Sequence, residues 1–119
     1  MITFEKVTVE NESVVKEMFK SHSLGEKKVK YCVKVDDTYI GVIDYSVQEE
    51  RAVLSQLIIH FDYQGYGYGA NTYFTFEEMM KQRNVKEIKV LQEELTEKAK
   101  SFIESFGFTL EDEEYVKKI

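Results

Sequence analysis

QGYGYGA, residues 64–70, decides how this 119-residue chain is read. Upstream of it runs AVLSQLIIH, residues 52–60, an almost continuous apolar stretch that reads as a strand lying mid-sheet and covered on both faces. Downstream runs ANTYFTFEEMMKQR, residues 70–83, with Tyr73, Phe76, Met79 and Met80 on one apolar stripe, which reads as a helix ending near Asn84. Glycines at alternating positions bury no side chain. They let the backbone turn tightly and let a ligand come close to its amides. A strand, a glycine loop and a helix start make an anion site, because the first amides of a helix lack internal partners and the helix dipole favours negative charge there. The loop is therefore expected to hold a phosphate or pyrophosphate.

The flanking sequence sets the class. Ile2, Phe4, Val7 and Val9 alternate with polar residues as a strand over residues 2–9, and Asn11 is placed to cap a short helix through Lys20 carrying Val14, Val15, Met18 and Phe19. Residues 21–27 read as a polar loop. Val29, Tyr31, Val33 and Val35 alternate again, and Asp36-Asp37 turns this strand into residues 39–47 as an antiparallel hairpin. A second turn at residues 48–51 leads to the apolar strand before the loop. After the loop helix, residues 85–91 form a short strand and residues 96–106 a helix with Ala99, Phe102, Ile103 and Phe106 on one side, stopped by Gly107. The C-terminal residues hold at most two short strand pieces, separated by the acidic run 111–114, a solvated turn. The order predicts one α+β domain over residues 1–119, a mixed sheet in which one strand–helix–strand unit carries the anion site.

Composition narrows the partners. A net charge of −6 with no Lys/Arg-rich block argues against nucleic acid and anionic membrane surfaces. The apolar content of 43%, with eight Tyr and eight Phe, suits a folded globule. No apolar run reaches the roughly 20 residues of a membrane span. The N-terminus has no signal-peptide layout, and the single cysteine, Cys32, allows no internal disulfide; a cytoplasmic setting is expected.

Three phosphate-loop chemistries compete. A Walker A loop needs a lysine followed by a hydroxyl, and this loop has no lysine. A dinucleotide fingerprint is matched by Gly65, Gly67 and Ala70, with Glu93 or Glu94 available for a ribose hydroxyl, but the further strand–helix units of that fold are missing. The third pattern, Q-x-x-G-x-G/A, is met by Gln64, Gly67 and Gly69. It resembles the acyl-CoA pyrophosphate loop of the GNAT N-acetyltransferase superfamily. Members commonly read V-x-P-x-Y-Q/R-G-x-G-x-G at a strand end, and residues 59–69 follow that layout with Phe61 where proline is usual. A later family pattern, N-x-x-A-x-x-F-Y-x-x-x-G-F, is matched at Ala99, Phe102, Gly107 and Phe108, with Thr96 in place of its asparagine and Ile103 in place of its tyrosine. The resemblance covers residues 52–108; the first 51 residues agree in element order only.

The resemblance implies a small GNAT-like acyl-CoA N-acyltransferase fold that moves an acetyl group from acetyl-CoA to a primary amine by direct attack. It implies a pyrophosphate held by the amides of Gln64, Gly65, Tyr66, Gly67, Tyr68, Gly69 and Ala70. It implies a pantetheine arm bonded to the backbone of Ile58, Ile59 and His60, where the strand splays from residues 88–90, and lined by Thr96, Ala99 and Phe102. The family tyrosine often protonates the leaving thiolate, and Ile103 donates no proton. One helix stands between the first two strands where the family commonly has a pair; this region usually shapes the acceptor site. Read from the residues alone, His60 is the candidate base, as the side chain that titrates nearest neutrality; its competing role is a hydrogen-bonded strand-end histidine. Asp44, Glu49 and Glu50 are alternatives by charge. His22 reads as a plain loop residue and Cys32 as a small buried one. No metal-ligand spacing is present. Tyr66 and Tyr68 are expected at the surface, Tyr73 and Phe76 in the core, and Phe74 off the stripe, facing a second copy in a homodimer. A non-catalytic acyl-CoA-binding or interaction module on the same fold is the competing reading.

Overall fold

The computed structural model describes residues 1–18, 20, 30–91 and 95–119. The elements are β1 (Ile2–Lys6), α1 (Glu12–Met18), β2 (Tyr31–Val35), β3 (Thr38–Gln48), β4 (Arg51–Ile59), a 3-10 turn (Phe61–Tyr63), α2 (Tyr68–Gln82), β5 (Glu87–Leu91), α3 (Glu97–Ser105), β6 (Thr109–Glu111) and β7 (Glu114–Lys118). The strands make one seven-stranded sheet in the order β1-β2-β3-β4-β5-β7-β6. Only β4–β5 pairs in parallel among the registers described, and α2 supplies the crossover that a parallel pair requires. The α+β mixed-sheet class read from the sequence is what the chain adopts. The expected loop at residues 21–27, Phe19, His22, Val29, Glu93 and Glu94 lie outside the described residues. No described helix is long and apolar enough to cross a membrane.

The chain forms two compact units, of which the first holds residues 1–44 and 56–76. Its β1–β2 register runs from Ile2↔Val35 to Lys6↔Tyr31, and Asp36, at φ 52°, turns β2 into β3. Val15 of α1 packs on Cys32 and Val42, with Val7, Met18, Tyr39 and Ile58 around them. Two expectations are corrected here. The first strand ends at Lys6 rather than Val9, because Thr8 N turns to donate to Asn11 Oδ1 (2.7 Å). That bond also removes Asn11 as a side-chain cap: its Oδ1 faces back toward β1 and its Nδ2 donates to Glu5 and to the Lys6 carbonyl.

On α2 the fully buried residues of this unit are Thr72, Tyr73 and Phe76. Tyr73 and Phe76 are the core aromatics expected from the stripe. Thr72 is the misfit, since its buried Oγ1 meets no hydrogen-bond partner among the described residues. An unsatisfied buried hydroxyl costs stability that an isosteric methyl does not. Thr72→Val is therefore expected to raise stability by about 1 kcal/mol, read as an upward shift of roughly 4 °C in thermal unfolding.

The second unit holds residues 45–55 and 77–119. Here Met80, Val85, Ile88, Val90, Phe106 and Tyr115 are buried together with Ala52 and Leu54 of β4. β4 is less covered than its sequence suggests: Val53 is half-buried and Ser55 exposed, so only one face is sealed along this part of the strand. Two C-terminal strand pieces form, but the turn between them is shorter than the acidic run: Glu111 and Glu114 pair with each other in the strands, and Asp112, at φ 57°, makes the turn. β7 is an inner strand, pairing with β5 from Glu87↔Lys118 to Leu91↔Glu114. Lys117 reaches the buried Glu77 carboxylate, and Tyr115 OH donates to Glu104 (2.8 Å). These bonds tie the C-terminal hairpin to α2 and α3.

Candidate functional site

The glycine loop is built from the end of β4 outward. His60 N donates to the Ile40 carbonyl (2.8 Å), which keeps β4 paired to β3 through its last residue. The chain then makes its 3-10 turn. His60 Nδ1 accepts from Asp62 N (3.1 Å), and Tyr63 N donates to the His60 carbonyl (2.9 Å). Gln64 closes the turn twice. Its amide donates to the Phe61 carbonyl (3.3 Å), and its side-chain Nε2 reaches back to the Ile59 carbonyl (2.8 Å). Both groups of Gln64 are thus engaged within the protein, and the cradle of free amides starts after it.

Gly65 (φ 87°) and Gly67 (φ 82°) take the left-handed conformation that other residues adopt at a cost. A Cβ added at either would meet no atom within 4 Å, so both border open space. α2 begins at Tyr68 rather than at the expected Ala70, and its first bond runs from Asn71 N to the Gly67 carbonyl (3.1 Å). This makes Gly67 the capping position and puts Tyr68, Gly69 and Ala70 in the first turn. The amides of Gly67, Tyr68, Gly69 and Ala70 are the helix's orphan donors, bonded to no acceptor among the described residues. No carboxylate stands in that turn to answer the dipole. Open space over glycine, four unused donors and an unanswered positive helix end fit a pyrophosphate. Tyr66 (73% exposed) and Tyr68 flank the opening with their rings 6.3 Å apart.

Ile58 and Ile59 lead into the loop, and Gly41 on β3 sets how close they come. A Cβ at Gly41 would collide with the Ile58 carbonyl oxygen and stand 3.0 Å from Ile59 Cδ1. Nothing in the sequence signalled this glycine, whose role depends on a strand that arrives many residues later. Nor did it signal the Gln64–Ile59 bond. Gln64→Met keeps the side-chain length and removes the donor. It is expected to cost about 1 kcal/mol of stability, which Gln64→Arg retains; thermal unfolding of the three proteins checks this.

In the second unit, β4 and β5 pair from Arg51↔Glu87 to Val53↔Lys89 and stop there, although β5 continues through Leu91. β4 therefore parts from β5 before Val90. On α3, Thr96 is the cap: its Oγ1 accepts from Ala99 N (3.1 Å). Ala99 is half-buried, and Phe102 is exposed with its ring edge-on to Phe106 (4.6 Å). Ile103 is 7% exposed and belongs to the core. Thus residues 58–60 and 64–70 are brought together in the first unit, while Thr96, Ala99 and Phe102 share one turn-spaced stripe in the second.

The titratable groups are differently placed. With Nδ1 accepting the Asp62 amide, neutral His60 carries its proton on Nε2; its ring lies 6.2 Å from those of Phe61 and Tyr63. Asp44 is buried and accepts from Lys30 N (2.6 Å); burial pushes its carboxyl pKa up, against the pull of the Lys30 and Tyr31 amides. Glu49 and Glu50 occupy the exposed β3–β4 turn. Burial pushes the Cys32 thiol up to about 11, which leaves it un-ionised and poorly nucleophilic. No cluster able to hold a metal occurs among the described residues.

Residues 2–119 match the family model described as an acetyltransferase (GNAT) domain. No curated protein sequence matches the chain. Among solved structures, an acetyltransferase from Thermus thermophilus is similar at 18% identity, covering 100% of this chain and 97% of that one, with a TM-score of 0.80. The PaiA N-acetyltransferase from Thermoplasma acidophilum, in complex with coenzyme A, is similar at 17% identity, 100% and 99% coverage and a TM-score of 0.74. A GNAT family acetyltransferase from Brucella melitensis, in complex with acetyl-CoA, is similar at 12% identity, 100% and 88% coverage and a TM-score of 0.68.

Proposed function

Because the chain belongs to the GNAT acetyltransferase family, we propose that it acts as one domain that moves the acetyl group of acetyl-CoA to a primary amine by direct attack. The observation that carries this reading is the run of unused amides from Gly67 to Ala70, opened by two glycines of positive φ with free space over them. These amides hold the pyrophosphate, and the helix end contributes its dipole. Acetyl-CoA supplies the thioester; the chain supplies its placement. The His60 amide is occupied by Ile40 and the Ile58 backbone faces the same strand at Gly41, so polarising the thioester carbonyl falls to the backbone of Ile59. The pantetheine arm lies along the end of β4 as an added strand would.

In the transfer the amine nitrogen bonds to the acetyl carbon, the carbon–sulfur bond breaks, CoA leaves as a thiolate that takes up a proton, and the former ammonium releases its protons to water or a base. Buried Ile103 can serve neither as acid nor as base, so the thiolate's proton comes from another group or from water. His60 keeps its candidacy for the amine's proton only in the tautomer that gives up the Asp62 bond, which predicts a weak dependence of rate on this side chain.

The test is thermal unfolding with acetyl-CoA, CoA, NAD and ATP in parallel. A ligand at 100 times its dissociation constant stabilises by about 2.7 kcal/mol, roughly 10 °C for a chain of this size. A shift with acetyl-CoA and CoA alone is the expected result. No shift with CoA overturns the reading, and a shift with NAD replaces it with dinucleotide binding. Faster release of CoA thiol when an amine is added separates a transferase from a module that only binds acyl-CoA.

A further inference from the structure

His60 joins the sheet to the glycine loop by two bonds of different kinds. Its main-chain amide donates to the Ile40 carbonyl on β3 (2.8 Å), which fixes the residue to the sheet. Its side-chain Nδ1 accepts from Asp62 N (3.1 Å), which makes it the cap of the 3-10 turn Phe61–Tyr63. That turn closes on Gln64, and the next residue is Gly65, where the chain enters the loop at φ 87°. The direction in which the amides of Gly67 to Ala70 are presented is therefore set through this turn. The ring is packed rather than solvated: it is 17% exposed, with the rings of Phe61 and Tyr63 each 6.2 Å away.

A cap of this kind works in one protonation state. An asparagine or serine cap accepts a hydrogen bond at any pH, but imidazole accepts at Nδ1 only while that nitrogen is bare. Imidazole is also the side chain whose charge changes between about pH 5 and 8. Once Nδ1 takes a proton, two N–H donors face each other where one bond stood, and the Asp62 amide turns away. The charged ring has another partner within reach, since Asp62 Oδ2 lies 3.6 Å from Nδ1. Asp62 is 80% exposed, so that ion pair contributes little, and it holds the ring rather than the turn's amide. Neutral His60 thus closes the turn, and charged His60 releases its first amide.

We propose that His60 is a positioning residue that makes the phosphate loop sensitive to protons: CoA affinity is full while the ring is neutral and falls as pH falls through the ring's titration. The ligand rests on the acetyltransferase reading; the state of the turn can be read without it. An imidazolium acting only as a cation near the phosphates would do the opposite and tighten binding in acid. Asp62 and Tyr63 face the ring from the turn, α1 and β3 bring Glu17 and Tyr39 to the surface that Tyr63 lines, and β3 meets His60 itself through the uncharged Ile40 carbonyl. These groups, the second histidine His22, and the 3′-phosphate of CoA, a monoester that titrates near about pH 6, are common to a parent and a His60 variant and drop out of their comparison.

The parent is compared with His60→Asn, whose Oδ1 stands one bond from Cγ as Nδ1 does and accepts at every pH, and with His60→Phe, which keeps a ring and accepts nothing. The Asp62 amide resonance is followed without ligand from about pH 8 to about pH 5.5, and CoA affinity is measured by calorimetric titration at both ends. In the parent the Asp62 amide is expected to move together with the His60 ring, and in His60→Asn to stay still. Between the two pH values the parent is expected to lose about threefold in CoA affinity relative to His60→Asn, and His60→Phe to bind about threefold more weakly than His60→Asn at both. The loss falls on KM for acetyl-CoA rather than on kcat, because the ring serves the loop and not the reacting atoms. An Asp62 amide that ignores the ring's titration, CoA affinities of parent and His60→Asn that run in parallel with pH, or tighter binding by the parent in acid overturns the proposal alone. A parent that binds no CoA at any pH overturns the acetyltransferase reading and the proposal with it.

Discussion

Gly67→Val is expected to remove CoA binding from a protein that still folds. The residue stands at φ 82° and caps α2 through its carbonyl, which accepts from Asn71 N (3.1 Å). A β-branched side chain in that conformation costs about 1–2 kcal/mol or somewhat more, because its Cβ crowds the neighbouring backbone. That is the main cost to the fold, since an added Cβ would meet nothing within 4 Å. The cost to the ligand is larger. The valine methyls would fill the space through which a pyrophosphate approaches the amides of Gly67 to Ala70, and strain at the cap would turn the amides from their shared direction. A loss of at least about 100-fold in CoA affinity, close to 3 kcal/mol, is expected. Titration calorimetry gives the affinity and circular dichroism the melting point. Unchanged affinity in a folded Gly67→Val protein would mean that the loop does not hold the phosphates. Gly69→Val is a different experiment: Gly69 lies inside α2 without a positive φ, so its effect on CoA comes from bulk alone.

Gly41→Ala produces the largest expected effect on stability. Its new methyl would collide with the Ile58 carbonyl oxygen, and the second neighbour is the side chain of buried Ile59 at 3.0 Å. Overpacking costs about 1–3 kcal/mol where side chains can shift, and here the first obstacle is backbone, so a loss of about 3 kcal/mol is expected. Thermal unfolding would fall by roughly 10 °C. The displaced atoms belong to the strand end proposed to polarise the thioester, while the glycine loop keeps its own turn bonds. The variant is therefore expected to lose kcat by a larger factor than it loses CoA affinity. Parent-like melting and turnover would show that β4 has room to move away from β3 at no cost.

Both effects concern glycines, yet only one of them was legible in the sequence. Gly67 declares itself because it sits in a run of alternating glycines between an apolar strand and an amphipathic helix, and every term in that inference is local. The same holds for the turns at Asp36 and Asp112, the stripe of Tyr73 and Phe76, and the two strand pieces around the acidic run. Gly41 looks like any glycine in a strand. Its constraint comes from Ile58 and Ile59, which reach it only when β4 closes against β3.

The sequence by itself determined the order of elements, the mixed α+β class and the glycine turn that leads into α2, because periodicity, turn chemistry and helix starts act over a few residues. The tertiary structure decided what depends on closure over long chain separations. It inserted β7 beside β5, turned Asn11 back onto β1 instead of onto the helix it precedes, and bound the Gln64 side chain to the Ile59 carbonyl. It also buried Ile103 and set Tyr63 beside α1. A polar side chain takes whichever partner folding leaves within reach, and a strand takes whichever neighbour lacks one; neither choice is written in the residue itself.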